Sequence, residues 1–305
     1  MTTGSARHAV AVAALAALAL AAGGCGSEAQ RDADAPRSDR LVDFTKKPPY
    51  LNALDIDPRT KDFLLTTNRG FFRIGRDSGK VQTIRGTISA GGKRSTVGTF
   101  LEIEVAGPGR LIGSGHPDQA GTLPSFLGFI RSDDAGRTWT VVSRLGDADL
   151  HKIVVDHGRM YAFDAVLSAL LISRDGGRTF TENFTPRGLI IDFEVDPQDP
   201  RRVVASTDAE LFRSQDTGAS WRPLDRREGI RLAWPAPDAL YRALKDGSVQ
   251  RSTDGGETWK EAGSVDGEPY KFKAVGREEL YLALSDGTIM HTTDAAQTWK
   301  AVFRP

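Results

Sequence analysis

Short apolar runs alternate with turn-forming residues along most of the chain. One unit shows the plan: the runs His151–Asp156, Met160–Asp164, Leu170–Ser173 and Thr179–Phe184 are separated by segments that contain Gly, Asp and Ser. Short runs that are rich in β-branched and aromatic residues and bounded by turn signals are typical of β-strands. This unit therefore predicts four short strands in one antiparallel sheet.

The same plan recurs on both sides of this unit. We predict further strands at Leu51–Ile56, Asp62–Thr66, Phe71–Ile74 and Val81–Ile84; at Ile190–Val195, Arg202–Ser206, Leu211–Ser214 and Ser220–Leu224; and at Tyr270–Val275, Glu279–Leu284, Ile289–Thr292 and Thr298–Phe303.

A polar motif, S-x-D-x-G-x-T-W, falls between the third and fourth predicted strands. Its aspartates recur at intervals of 38 to 41 residues, and a fixed period of this length indicates one sheet per repeat, as in a β-propeller. A degenerate copy surrounds Asp77. We predict an all-β, six-bladed propeller of four-stranded antiparallel blades; a seventh blade would need to have lost its motif. The five clear copies have Asp134, Asp175, Asp216, Asp254 and Asp294.

The repeats resemble the Asp-box (BNR) repeats of sialidases and of many secreted propellers. The stretches SGHPD, LGFIRSDDAGRTW and LGDADLHKI are also similar to a bacterial family commonly labelled glycosyl hydrolase, BNR repeat. The resemblance implies a propeller fold and a secreted bacterial protein. The enzyme label follows the repeat and not a demonstrated chemistry, because photosystem II assembly propellers share such repeats without being enzymes.

The N-terminus has the pattern of an exported lipoprotein. Arg7 precedes a 14-residue apolar stretch, which is too short to span a bilayer but is typical of a signal peptide. The single cysteine, Cys25, ends an L-A-A-G-G-C sequence that resembles a bacterial lipobox, with Ala22 where Leu is usual. We predict a signal peptide over 1–24, lipid attachment at Cys25, a disordered tether over 25–40 and the propeller over 41–305. An ordinary secretory signal is the alternative.

Composition narrows the choice of partners. The chain has 40 basic and 40 acidic residues, so bulk electrostatics do not indicate binding to nucleic acid. One thiol allows no internal disulfide, and stability must therefore come from packing.

The 40-residue period breaks between Asp77 and Asp134, which are 57 residues apart. We assign the additional residues to a loop between the second and third strands of blade two, Gly115–Ser125. The next connection of the same face, Arg144–His151, lies beside it. These two connections predict a ligand site near the mouth of the central channel. Its candidate residues are His116, Asp118, Asp147, Asp149 and His151.

Three interpretations of this cluster remain open. The carboxylates can stabilise loop turns, the cluster can bind a polar ligand, or His116 and His151 can bind a transition metal. No cofactor other than such an ion is indicated.

Sialidase chemistry requires an arginine clamp and a Tyr–Glu pair. The arginines that suggest a clamp occupy equivalent third-strand positions, and we interpret them as repeat residues that are surface charges of outer strands; they are Arg73, Arg131, Arg213 and Arg251. Glu228 and Tyr270 form the one pair that the connections suggest, and coincidence explains it better. The sequence therefore predicts a lipid-anchored extracytoplasmic module that recognises a cell-envelope protein or glycan. A glycoside hydrolase of sialidase-like ancestry is the alternative.

Overall fold

Six sheets follow one another around a central channel in the computed structural model, which describes residues 50–227 and 230–305. One strand of each sheet lines the channel, and each of these six inner strands contacts the inner strands of both neighbouring sheets around the ring. The inner strand is the first of its blade except in blade two, where two additional strands precede it. The predicted all-β, six-bladed propeller is confirmed. None of the described residues forms a helix long and apolar enough to cross a membrane.

Each blade is one continuous segment of the chain. Blade one contains β1 (Leu51–Ile56), β2 (Phe63–Thr67), β3 (Gly70–Ile74) and β4 (Val81–Ile84). Blade two contains β5 (Gly86–Ala90), β6 (Lys93–Val97), β7 (Leu101–Gly107), β8 (Arg110–Gly115), β9 (Phe129–Ser132) and β10 (Thr138–Ser143). Blade three contains β11 (Leu150–Asp156), β12 (Arg159–Asp164), β13 (Ala169–Ser173) and β14 (Thr181–Phe184).

The remaining blades follow the four-stranded plan. Blade four contains β15 (Ile190–Val195), β16 (Val203–Thr207), β17 (Leu211–Ser214) and β18 (Arg222–Asp225). Blade five contains β19 (Arg231–Ala236), β20 (Ala239–Ala243), β21 (Ser248–Ser252) and β22 (Lys260–Ser264). Blade six contains β23 (Pro269–Ala274), β24 (Leu280–Leu284), β25 (Ile289–Thr292) and β26 (Lys300–Phe303).

Blade two departs from the predicted four antiparallel strands. The hairpin β5–β6 adds two strands at its outer edge, and β5 pairs with β10 in parallel. The interruption of the period was therefore only partly explained by the predicted loop. The additional residues are divided between the loop that joins β8 to β9 and a hairpin that sequence reasoning missed.

Each Asp box is a closed set of hydrogen bonds. In blade five the carboxylate of Asp254 accepts bonds from the Ser252 hydroxyl at 2.7 Å, the Thr258 N–H at 3.0 Å and the Thr258 hydroxyl at 2.5 Å. The Ser252 hydroxyl oxygen accepts the Gly256 N–H at 2.8 Å. The Asp therefore bonds four residues ahead, and not two as in a simple Asx turn. Gly256 has a φ of +91°, which glycine adopts without strain.

Blade six meets blade one through side chains. The rings of Phe63 and Tyr281 pack edge to face with centroids 5.5 Å apart, and Phe303 joins the same buried cluster. Lys273 of blade six bonds Asp55 of blade one at 3.1 Å. Cys25, the predicted tether and the remaining residues before Tyr50 lie outside the described residues.

Candidate functional site

A cavity of about 260 Å³ opens at one end of the central channel. This end carries the connections from second to third strands and from each fourth strand to the next first strand, and we call it the mouth face. The Asp boxes join third and fourth strands and lie at the other end of the sheets. Blades one, two, three and six contribute to the wall of the cavity, through Tyr50, Phe100, Glu102, His116, Asp149, His151 and Lys271.

A repeated β-bulge interrupts four inner strands near the mouth, and two of its residues, Asn52 and His151, line the cavity. The pairing of four inner strands with their neighbours shifts by one residue near the mouth, and the additional residues are Asn52, His151, Ile191 and Tyr270. A bulge leaves one residue out of the ladder and re-aims its side chain, a device that is common beside binding sites. In blade three this places His151 on the cavity wall, two residues after Asp149.

Three of the five predicted site residues meet in this cavity. The Nε2 atom of His151 lies 2.9 Å from Asp149 Oδ2, and Nε2 of His116 lies 3.6 Å from Asp149 Oδ1. The other ring nitrogen of His116, Nδ1, lies 2.8 Å from the Ser125 carbonyl oxygen. Because a carbonyl oxygen only accepts hydrogen bonds, Nδ1 of His116 carries a proton. Asp149 thus lies between two imidazoles.

The Asp149 carboxylate sets the charge of this trio. Its hydrogen bond to His151 raises the pKa of that imidazole, against the opposing effect of burial. His151 is therefore more readily protonated near neutral pH than a free histidine. An imidazolium at this position offsets the negative charge of Asp149, which is 9% exposed.

The other two predicted residues do not reach the cavity. Asp118 accepts the Thr99 N–H at 2.9 Å and the Thr99 hydroxyl at 2.6 Å, so it fastens one loop to another. Asp147 is exposed, and its backbone N–H donates to the Arg144 carbonyl at 3.0 Å within a turn. For Asp118 the geometry fits the interpretation that its carboxylate stabilises a loop, whereas Asp147 takes part in its turn through the backbone.

The two insertions of blade two pack against each other, and the loop between β8 and β9 contributes His116 to the cavity wall. The Asp118 N–H donates to the Thr96 carbonyl at 2.9 Å, which joins the long loop to β6. Leu123 and Leu127 of the loop are buried in the same apolar cluster as Ile88 and Val97 of the hairpin. This packing supports His116, whose ring lies between those of Phe100 and Phe126, with centroid distances of 6.4 and 5.6 Å. The additional residues that interrupt the 40-residue period therefore place and support His116 at the mouth.

Charged residues that sequence reasoning missed line the channel below the mouth. Lys152 and Lys273 each bond two carboxylates: Lys152 lies 2.9 Å from Asp192 and 3.1 Å from Glu194, and Lys273 lies 3.1 Å from Asp55 and 2.7 Å from Glu104. The signal was present in the sequence, since inner strands such as LEIEV and YKFK alternate charged and apolar residues. On an inner strand, this alternation turns the charged face to the channel.

Lys271 differs from the other two channel lysines. Glu102 is the one carboxylate within 4 Å of its ammonium group among the described residues, and the separation is 3.9 Å. Burial lowers the pKa of Lys271, whereas Lys152 and Lys273, which are also buried, have raised pKa values because of their carboxylate neighbours. Burial also raises the pKa of Glu102 to about 7, although Lys271 opposes this. Both groups face the mouth cavity without close partners.

The features that suggested an enzyme are dispersed, whereas the two histidines that suggested a metal site, His116 and His151, both lie beside Asp149. Within 50–227 and 230–305, no group of three His, Cys, Asp or Glu side chains is arranged to hold a metal ion. Three of the four repeat arginines bond within their own blades: Arg73 pairs with Asp57 and Arg131 with Asp133, while Arg251 donates to the Asp238 carbonyl.

One detail of the arginine interpretation was wrong. Arg213 is not a surface charge, because it is 8% exposed and pairs with Glu257 of the next blade. Tyr270 lies at the mouth and packs against Tyr50, with ring centroids 5.6 Å apart. Glu228, its suggested partner, lies outside the described residues.

Comparisons with known proteins support the repeat and the fold. The model of the BNR/Asp-box repeat matches residues 250–261, the box of blade five. The dispase autolysis-inducing protein of Streptomyces mobaraensis is 34% identical over 97 residues, which are 32% of this chain and 25% of that protein. The chain thus spans about a quarter of the length of this relative. The structure of YCF48 bound to D1 peptide is similar with a TM-score of 0.55, at 14% identity, over 81% of this chain and 93% of that one.

Proposed function

We propose that this six-bladed BNR/Asp-box repeat propeller is a recognition module that binds a polypeptide partner on its mouth face. One observation carries the proposal: six of the eight exposed large hydrophobic side chains of the described residues lie at this end of the propeller, and two of the six line a pre-formed cavity. An exposed apolar surface rimmed by polar groups marks protein interaction sites. The six rim residues are Tyr50, Phe100, Val166, Leu167, Phe184 and Leu189, and the cavity is lined by Tyr50 and Phe100.

The rim is connected to the cavity by a buried carboxylate. Asp164 is 0% exposed, and its Oδ1 atom accepts the N–H of Asp149 at 3.1 Å and the N–H of Val166 at 3.0 Å. Burial raises the pKa of Asp164, against these hydrogen bonds. One buried group therefore fixes the apolar loop 165–168 relative to the Asp149 carboxylate. A partner can contact the loop and the cavity together.

The aliphatic members of the rim favour a polypeptide over a glycan. Sugars present hydroxyl groups and are held by hydrogen bonds and flat aromatic faces, whereas Val166, Leu167 and Leu189 offer neither. Apolar anchors surrounded by polar groups are the composition of protein interfaces. YCF48, a propeller with the same fold, is described as bound to D1 peptide, which adds support for a peptide ligand.

A peptide-library selection tests this proposal. The wild-type propeller should enrich a peptide consensus, and the double variant Val166→Ser, Leu167→Ser should lose at least tenfold in affinity for a synthetic peptide of that consensus. The matched control is Val155→Ser, Val275→Ser, because these two exposed valines lie near the other ends of inner strands. A glycan array is run in parallel. Glycan binding without any peptide consensus, or equal loss in both variants, contradicts a polypeptide site on this face.

A glycoside hydrolase is the second candidate, on one observation. Glu102 and Asp149 line the same cavity, and the pKa of about 7 at Glu102, raised by burial, suits a general acid at neutral pH. A screen of fluorogenic glycosides, sialosides included, tests this candidate. Turnover that Glu102→Gln abolishes would replace the binding function with hydrolysis, and no turnover on any glycoside would exclude the substrates tested.

We also propose that the chain is exported and anchored by lipid at Cys25. The apolar segment before Cys25 and the absence of any other cysteine in the sequence support this assignment. Growth of the producing cells with an alkyne fatty acid should label the wild-type protein, and Cys25→Ala should remove the label and release the protein into the medium. Label that persists in Cys25→Ala, or a wild-type protein that is found free in the medium, contradicts the anchor.

A further inference from the structure

We propose that Lys271 binds a carboxylate of the polypeptide partner inside the mouth cavity. The proposal rests on the proposed function and specifies which chemical group of the partner enters the channel. It comes from a comparison within the molecule, between one channel lysine that is incompletely paired and two that are fully paired.

The two paired lysines show what the channel provides for a buried ammonium group. Lys152 and Lys273 each have two carboxylate oxygens within 2.7 to 3.1 Å, supplied by inner strands of other blades. Lys271 lies on the same inner strand as Lys273, two residues closer to the mouth, and in the described part of the chain has Glu102 alone, at 3.9 Å. The Lys271 side chain is 24% exposed, and a half-buried charge that has lost part of its hydration without gaining close hydrogen-bond partners is unfavourable. A second carboxylate, supplied by a ligand, would complete the pattern that the other two lysines show.

The cavity next to Lys271 can accept an anion. The negative charge of Asp149 is offset by His151, whose Nε2 atom lies 2.9 Å from Asp149 Oδ2 and whose pKa that carboxylate raises. His116 lies on the other side of Asp149, with its Nε2 atom 3.6 Å from Oδ1. Glu102 is 12% exposed, and its burial leaves it only partly ionised at neutral pH. The other charges near Lys271 are Arg231, Asp192 and Lys152, and the Arg231 guanidinium lies 5.0 Å from the centre of the Tyr270 ring. Among the described residues, no carboxylate other than Glu102 lies within 4 Å of the Lys271 ammonium group, so a ligand carboxylate can approach it from the cavity.

The dimensions fit a small terminal group. The cavity has a volume of about 260 Å³, which accommodates one short carboxylate-bearing residue but not a folded segment. Tyr50 and Phe100 are 59% and 49% exposed and border the opening. They can contact the apolar part of the residue that carries the carboxylate. A polypeptide can supply this group from its C-terminus or from an Asp or Glu side chain.

The test uses small probes and histidine NMR signals, and it needs no catalytic activity. N-acetylglycine carries the free carboxylate, and N-acetylglycinamide is the same molecule without it. The Cε1–H resonances of His116 and His151 report on the cavity, while those of His157 and His291 serve as controls outside it. We expect N-acetylglycine to shift the first two signals in a saturable titration, and the amide to bind at least tenfold more weakly.

Three variants test the role of Lys271. Lys271→Met keeps the aliphatic stem and should weaken N-acetylglycine at least tenfold, whereas Lys260→Met, an exposed lysine on β22, should leave binding unchanged. Glu102→Gln removes the competing carboxylate and should strengthen binding severalfold. This gain does not depend on how well the Lys271 variant folds, and thermal unfolding verifies each protein. Equal affinity for the acid and the amide, or unchanged binding in Lys271→Met, overturns the proposal.

Two further experiments distinguish a failure of this inference from a failure of the proposed function. The acidic groups of a consensus peptide are neutralised in the first experiment. If the affinity does not change, the polypeptide site is retained and the proposal that Lys271 binds a carboxylate is overturned. Glucuronate is the probe in the second experiment. If it binds through Lys271 while N-acetylglycine and all peptides do not, the carboxylate site is retained and the polypeptide partner is overturned.

Discussion

The charged groups at the two ends of the propeller differ in how completely they are hydrogen-bonded. At the Asp-box end, a carboxylate such as that of Asp254 has three hydrogen bonds and belongs wholly to its turn. At the mouth, Glu102 and Lys271 are 3.9 Å apart and lack close partners. The comparison separates two roles for charged groups. Groups with a full set of hydrogen bonds stabilise the blade, and groups without close partners remain available to a ligand. Changes at the box should therefore affect folding, and changes at the mouth should affect binding.

The largest effect is expected at the tightest packing in a box. A Cβ atom on Gly177 would lie 2.2 Å from a ring carbon of Phe129 in the preceding blade, at a φ of +83°. We expect Gly177→Ala to lower the free energy of unfolding by about 2 to 4 kcal/mol, from backbone strain together with overpacking. Chemical denaturation measures this loss.

The neighbouring glycine is the matched control for this change. Gly176 has a similar φ of +74°, but a Cβ there would meet only Arg178, at 4.0 Å. Gly176→Ala should therefore cost only the backbone strain of about 1 kcal/mol. Equal losses in the two variants would show that packing between blades contributes little at this position.

The second effect compares an aspartate from each end. Asp254→Ala removes three hydrogen bonds from the box of blade five and should cost about 1 to 2 kcal/mol in the free energy of unfolding, as the loss of a capping residue does. Asp147→Ala, at an exposed turn of the mouth face, should change it by less than about 0.5 kcal/mol. Thermal unfolding of both variants measures the difference. A larger loss at Asp147 than at Asp254 would contradict the separation of roles between the two ends.

The third effect is a dependence on acid. Hydrogen bonds from Thr179 and Ser173 lower the pKa of Asp175 to about 2, and bonds from Thr292 and Thr298 lower that of Asp294 to about 2. Burial opposes the shift at Asp254, but bonds from Thr258 and Ser252 bring its pKa to about 2. A folded-state pKa below the unfolded value stabilises the protein above the unfolded pKa, near 4, and this stabilisation disappears as the pH falls through the folded pKa.

The melting temperature should therefore fall steeply between pH 4 and pH 2, and Asp254→Ala should reduce that slope. Calorimetry over this range measures both quantities, with Asp147→Ala as the variant that retains the wild-type slope. A slope that does not change when Asp254 is removed would show that other carboxylates control the acid response.

The repeat explains why the fold was predictable and much of the site was not. Boxes every 38 to 41 residues and strands such as Ile190–Val195 depend on local patterns, so the sequence predicted the blade count and most strand positions. The hairpin Gly86–Val97 was missed because its alternative, a longer loop, satisfied the same spacing. His116 and His151 were found because His116 lies in the interval where the period breaks and His151 ends the next connection on the same face.

The charged partners of the site could not be found in that way. Glu102 and Lys271 lie on strands that are far apart in sequence, and their weak pairing is a property of the closed ring. Each residue alone looks like an ordinary charge on an inner strand. The weak pairing of Lys271 is recognised only by comparing its carboxylate distance with those of Lys152 and Lys273, which are fully paired.

The smallest effect concerns the one box that lacks glycine at its turn. Ala295 and Ala296 have φ values of +58° and +73°, where blade five has Gly255 and Gly256 at +70° and +91°. Alanine is strained in this region, whereas glycine is not. Ala295 is only partly buried, so Ala295→Gly loses little packing and should stabilise the protein by about 0.5 kcal/mol. The reverse change, Gly255→Ala, should destabilise blade five by a similar or larger amount. Denaturation midpoints for both variants decide the matter, and a loss of stability in Ala295→Gly would show that the alanine methyl contributes more by its packing than it costs in strain.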